Sequence, residues 1–346
     1  RFFALALALL LAVSLPVSAL AATWYLENGD ITIRATEDGQ YVSQGDKHDV
    51  KDNDTIITQK DSETVTGSTI TIETTGDATA DVTIEDVNIK SSGDAIDVVG
   101  SSSANITLKG DNKIFSENSS ALHVSSGDVT IDGDGTLKAA TDSNSKNAQI
   151  GSHENEKMSG IIHITGNATV TTQDDNAQAD DHIGGAGIGS GDGGDMSGSI
   201  TIDQNAVVDA SSNEDGAGIG SGHKGNMSGD IIIGGSAQVT ARSSWDGAGI
   251  GAGDDGEMSG NITIGDSAQV TAWSDVGGAG IGSGEGRDVS GTITIGGSAQ
   301  VTAGSDDESA GIGAGSDGSI TSTGKIIIRD SAKVTAIGED EGAGIG

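Results

Sequence analysis

The residues Gly260-Asn261-Ile262-Thr263-Ile264-Gly265-Asp266-Ser267-Ala268-Gln269-Val270-Thr271-Ala272 decide how this chain folds, because near-copies of them recur through its second half. Between the copies stands a second word, Gly278-Ala279-Gly280-Ile281-Gly282. It also begins at Gly185, Gly216 and Gly247, in altered form at Ser309, and again at Gly342. The steps are 31 residues, with a last one of 33. A period in this range with fixed punctuation marks stacked units that bury their apolar faces only against one another. Each copy alternates with period two in three short runs. Ile262 and Ile264 flank Thr263; Ala268, Val270 and Ala272 alternate with Gln269 and Thr271; Ala248 and Ile250 alternate with glycines. Period two means strands, and 56 glycines argue against long helices. The expected fold is all-β: a parallel, right-handed β-helix solenoid with three short strands per coil and rungs about 4.8 Å apart.

Stacking turns repeat positions into columns. Ile202, Ile233, Ile264, Ile295 and Ile328 should form one column, and Val208, Val239, Val270, Val301 and Val334 a second. Ile188, Ile219, Ile250, Ile281 and Ile312 should form a third. An aromatic content of 2% suits such a thin interior, which has room for aliphatic rows and few rings.

Toward the N-terminus the words persist at shorter spacing. Val82-Thr83-Ile84, Ile106-Thr107-Leu108 and Val129-Thr130-Ile131 stand 24 and 23 residues apart. Residues 81–346 therefore read as solenoid, with short coils over 81–150 and 31-residue coils over 151–346, where inserts such as Gln173 to Asp181 lengthen the turns. Residues 22–80 show no legible repeat and are expected to form a β-rich cap over the open end, with Trp24, Tyr25 and Tyr41 packed inside it. Residues 1–21 join an apolar run from Phe2 to Val17 to Ala19-Leu20-Ala21, the pattern of a secretory signal peptide lacking its first residues. That pattern predicts an exported protein, extracellular or held at a bacterial cell wall. The chain stops within a coil at Gly346, so a further C-terminal part is expected. With no cysteine, an exported chain of this length must rely on packing and ladder hydrogen bonds.

Charge narrows the partners. The formal net charge is -35, from 52 acidic and 17 basic residues, which excludes nucleic acid and anionic membrane surfaces as natural ligands. Asp215 and Asp246 precede the Gly-Ala-Gly-Ile-Gly word, while Asp254 and Asp255 follow it. Stacked, they should make two acidic rims whose repulsion a divalent cation would relieve. These four are the candidate metal ligands and Ca²⁺ the candidate ion, although neither a nine-residue calcium repeat nor a D-x-D-x-D-G loop is present. Between the rims an outward strip of glycines is expected, including Gly249 and Gly280. Such glycines serve either close approach between coils or a bare track for a polymer. Trp245 and Trp273 lie just before the strip and could stack on sugar rings, so they join Gly249 and Gly280 as candidate ligand-binding residues. Threonines should form outward rows as well: Thr201, Thr263 and Thr294 on one strand, Thr240, Thr271, Thr302 and Thr335 on the next.

No catalytic constellation stands out. The six histidines occupy unrelated repeat positions, no serine sits in a G-x-S-x-G elbow, and acids are too abundant for any pair to be singled out. The expectation is a protein without enzymatic activity; a polysaccharide lyase and an ice-binding surface are the minor alternatives. Nothing in the sequence sets an oligomeric state.

The early segment from Val82-Thr83-Ile84-Glu85-Asp86-Val87-Asn88-Ile89 through Gly93-Asp94-Ala95-Ile96, with Asp132-Gly133-Asp134-Gly135-Thr136-Leu137, resembles the β-helical carbohydrate-binding domain of Firmicutes cell-surface proteins. The later copies resemble the glycine-rich repeats that often follow it in large anchored proteins. The resemblance covers most of residues 80–346. It implies carbohydrate binding or adhesion outside the cell, on a polysaccharide or surface glycan, with calcium in some relatives. It maps no ligand residue onto this chain. The other reading is a passive stalk that presents a further domain.

Overall fold

The computed structural model describes residues 22–142, 145–172, 184–212 and 214–346. The signal-like segment 1–21 and the insert Gln173–Asp181 lie outside the described residues.

Alternating Ile and Thr favour the pleated, half-buried surface of a strand, and three such runs per period close a coil. Among the described residues the strands fall into three sheets, of eleven, nine and twelve strands. The Ile-Thr-Ile words, such as Ile262–Ile264, build the eleven-stranded sheet. Strands such as Gln269–Ser274 build the nine-stranded one. The Gly-Ala-Gly-Ile-Gly words supply two-residue strands such as Ile281–Gly282 to the third. Neighbouring strands pair in parallel from coil to coil, as a three-strand β-helix requires.

The three expected columns are all present. Ile233, Ile264 and Ile295 are successive partners, as are Val239, Val270 and Val301, and Ile219, Ile250 and Ile281. These isoleucines are essentially fully buried. Each such side chain contributes roughly 1.5–3 kcal/mol of burial to its coil.

Further columns line the corners of the interior. Met158, Met196, Met227 and Met258, all four methionines of the chain, stack in line with Val289 and Ile320 through single parallel bridges. An unbranched thioether suits this irregular corner, where no regular strand fixes the gap. Buried serines stitch the other corners: Ser221 Oγ donates to Gly225 O at 2.6 Å and accepts from Gly253 N at 3.1 Å in the next coil. Ser190 and Ser283 make the same pair of bonds in their own coils.

Stacking begins earlier than the sequence repeat. Thr23–Tyr25 pairs in parallel with Thr55–Thr58, which pairs with Thr79–Glu85, and Ile31–Thr36 pairs in parallel with Ile70–Thr74. The part of 22–80 that departs from the coil is an antiparallel addition, Gly39–Gln44 and Lys47–Lys51, laid beside Ile31–Thr36. This hairpin splits the first coil, which is why no period is legible there. Trp24 is buried in this region and donates from Nε1 to Asp52 Oδ2 at 2.8 Å. Among the described residues no helix is long and apolar enough to cross a membrane.

Candidate functional site

Two regions gather chemistry: the outward face of the nine-stranded sheet, and the seam where turns meet beside the short Ile-Gly strands.

On the outward face, strand alternation points every second side chain to solvent. Register then aligns Gln238, Gln269 and Gln300 in one column and Thr240, Thr271 and Thr302 in the next, along a shallow groove of about 630 Å³. The threonine column runs back through Asp209 and Thr171 to Lys138 and Lys113. A third column contains Arg242, Trp273 and Gly304. Nearer the N-terminus, Lys90 and Phe115 are partners on this face, with the Lys90 ammonium 4.9 Å from the Phe115 ring centre. Trp273 is half-buried and lies across Gly304, where an added Cβ would sit 2.1 Å from a ring carbon. Its Nε1 donates to Asp306 at 2.8 Å, which fixes the ring. The other candidate, Trp245, is exposed in the turn beyond Gln238–Ser243 and its carbonyl accepts from Ser274. The two tryptophans thus differ in setting, one on a strand with its ring fixed and one in the turn that follows the neighbouring strand.

The glycine strip is not on the surface, contrary to the sequence expectation. Gly249 and Gly280 are buried. A Cβ on Gly249 would lie 2.5 Å from Trp273 N and 2.7 Å from Gly280 O; on Gly280 it would lie 2.5 Å from Gly304 N. Close approach of backbone to backbone, not ligand access, is what these glycines permit.

The acids also depart from expectation: the two rims are one seam. Within each coil the short strand is pinched, with Ala248 N donating to Ala252 O at 3.0 Å, so its two flanks come together. Asp254 N donates to Asp215 O at 2.8 Å and Glu285 N to Asp246 O at 2.9 Å, bonding each following turn to a preceding one. Of the four candidate metal-ligand aspartates, Asp215 and Asp254 converge. Asp246 sits beside them, accepting from Gly277 N and facing Glu285. Asp255 takes a left-handed backbone (φ 56°) and turns to Arg287, 3.4 Å away. The missed member is His223, which holds the same repeat position as Asp192, Asp254 and Glu285, a spacing of 31 that aligning the copies exposes.

His223 is buried, with Nδ1 2.9 Å from Asp192 Oδ1 and Nε2 3.7 Å from Asp254 Oδ2. Its bond to Asp192, which outweighs burial, raises its pKa. Burial, then repulsion from Asp254 and Asp246, pushes the Asp215 carboxyl up to about 6. Burial and Asp255 push Asp254 up to about 6, while burial and Asp246 push Glu285 up to about 7.

A second His-acid group, Asp94, His123 and His153, lies nearer the N-terminus. The imidazoles stack with centres 3.8 Å apart. His123 spends both nitrogens on acids, Asp97 at 2.8 Å and Glu156 at 2.9 Å. Burial opposes its charge, but these bonds prevail and raise its pKa to about 9. An imidazolium so engaged has no lone pair for a metal, and this group is an ion-pair network. No protein-family model, curated protein or solved structure matches this chain.

Proposed function

We propose that this protein is a non-enzymatic, exported rod that binds an extended polysaccharide along the outward face of its nine-stranded sheet, acting in adhesion at a cell surface. The observation that carries the reading is the alignment, on one face, of amide and hydroxyl columns at strand spacing, with the single rings of Trp273 and Phe115 on the same face. Nine strands about 4.8 Å apart offer a track roughly 40 Å long. A linear polymer lying along it meets Gln and Thr groups that each exchange a water contact for a sugar hydroxyl, a net gain of roughly 0.5–1.5 kcal/mol apiece. Many weak contacts in register then act together. Trp273 and Phe115, held half-buried, are platforms for the apolar faces of sugar rings. Lys90, Lys113 and Lys138 give this end of an otherwise acidic chain a cationic character, so a carboxylate-bearing glycan fits there better than a neutral one. Shallow geometry favours binding over turnover, and among the described residues that line the groove no nucleophile–base pair is present.

An array of neutral and uronate polysaccharides, followed by titration calorimetry on the best ligand, tests this. Saturable binding that weakens at least tenfold in Trp273→Ala, and about as much in the double variant Gln269→Ala/Thr271→Val, is expected. Trp245→Ala should bind like the parent. A chain that binds no glycan is the passive stalk instead, and unsaturated sugar products would make it a lyase.

A further inference from the structure

We propose that Asp215, His223 and Asp254 form a binding site for a divalent transition-metal ion of the zinc class, taken by His223 Nε2 and one carboxylate oxygen from each aspartate. The three offer ligand atoms that all lie within 4.8 Å of one another. Ligands about 2.0–2.2 Å from a zinc ion sit no more than about 4.4 Å apart, so a small side-chain adjustment closes the set. His223 Nε2 and Asp254 Oδ2, at 3.7 Å, already satisfy that limit.

Two independent features point to a ligand rather than to a bare acidic cluster. Asp215 is only 5% exposed, and its Oδ1 is buried with no hydrogen-bond partner among the described residues. A buried carboxylate oxygen left unbonded costs free energy unless something cationic meets it. The histidine is also oriented as a metal ligand is. Its Nδ1 lies 2.9 Å from the Asp192 carboxylate, which holds the N–H on that nitrogen, so Nε2, on the Asp254 side, is the atom that gives up its proton when an ion binds. Asp246 and Glu285 lie next in the seam and add negative potential. An imidazole nitrogen in a set of three selects zinc-class ions over calcium, which takes an all-oxygen shell of six to eight ligands. The ion bridges two coils, since Asp215 and His223 flank one Gly-Ala-Gly-Ile-Gly word while Asp254 follows the next, so it clamps the rod between rungs.

The test uses the 346-residue chain, stripped with chelator and titrated with Zn²⁺, Ca²⁺ and Mg²⁺ by calorimetry and thermal melting. Expected is one zinc per chain, with a melting temperature that rises with zinc and responds at least tenfold less to calcium or magnesium. His223→Ala and Asp254→Asn should each weaken zinc at least tenfold, and His163→Ala, on a strand of another sheet, should not. Asp215→Asn supplies the readout that misfolding cannot mimic: the metal-free variant should melt higher than the parent, through relief of repulsion, yet gain nothing from zinc. The proposal is overturned by the absence of saturable zinc binding or by parental zinc affinity in His223→Ala and Asp215→Asn. Equal affinity for calcium overturns it too, leaving an oxygen-only acidic seam.

Discussion

A single methyl group separates two kinds of glycine in this rod. At Gly282 the backbone is left-handed (φ 148°) and a Cβ would fall 1.7 Å from Gly313 O in the next coil. At Gly265, in a turn on the surface, nothing lies within 4 Å. Gly282→Ala therefore forces both a disfavoured dihedral and a backbone collision, and should lower stability by at least about 1–3 kcal/mol. Gly265→Ala should stay within about 0.5 kcal/mol of the parent. Paired thermal melts check this, and equal losses at the two sites would show that coil spacing is looser than the geometry implies. Both glycines look alike in the sequence. Which of them touches backbone depends on where the next coil lies, and that is also why Gly249 and Gly280 left both close approach and a bare track open. His223 was hidden differently: its neighbours in the column are acids, and only its repeat position betrays it.

At the scale of elements, strands were legible and corners were not. Period-two alternation of Ile262 and Ile264, or of Val270 and Ala272, locates a strand because it reports which side chains face inward. The methionine column has no such pattern, since each rung contributes one residue joined by an isolated bridge. The network around His123, a strand partner of Asp97, is likewise invisible in sequence, because Asp94, Asp97, His123, His153 and Glu156 come from three successive coils. It makes a prediction about pH. The folded-state pKa of His123, about 9, lies above the ordinary 6.5, so its contribution is complete below about 6.5 and is lost as pH rises through about 9. At 1.36 kcal/mol per unit the swing is at most on the order of 3 kcal/mol. His123→Gln should abolish that part of the decline between pH 6.5 and 9.5 in denaturant titrations, while a parallel decline in parent and variant would assign it elsewhere. The raised carboxyls of Asp215, Asp254 and Glu285 destabilise the fold in the same direction, but over a lower window, from about 4 to 7.

For the whole molecule, near-identical coils make stability a sum of rungs and their interfaces. Deleting residues 247–277 removes one 31-residue period and joins Asp246 directly to Gly278, restoring the pattern at the junction. The shortened chain should keep its β signature by circular dichroism, unfold cooperatively, and measure about 4.8 Å less along its axis by small-angle scattering. Loss of cooperative folding would mean that the coils are not interchangeable. The architecture was readable because repetition of Ile233, Ile264 and Ile295 encodes it many times over. The N-terminal region was not, because the hairpin of Gly39–Gln44 and Lys47–Lys51 occurs once and interrupts the first coil.

The uniform rung has a genetic corollary. Misaligned recombination between such copies would add or remove whole coils, so overall reach would change only in integer steps. The Gln and Thr rows ride on every 31-residue coil from Gln238 to Gln300, so any gain in reach would bring a matching gain in valency.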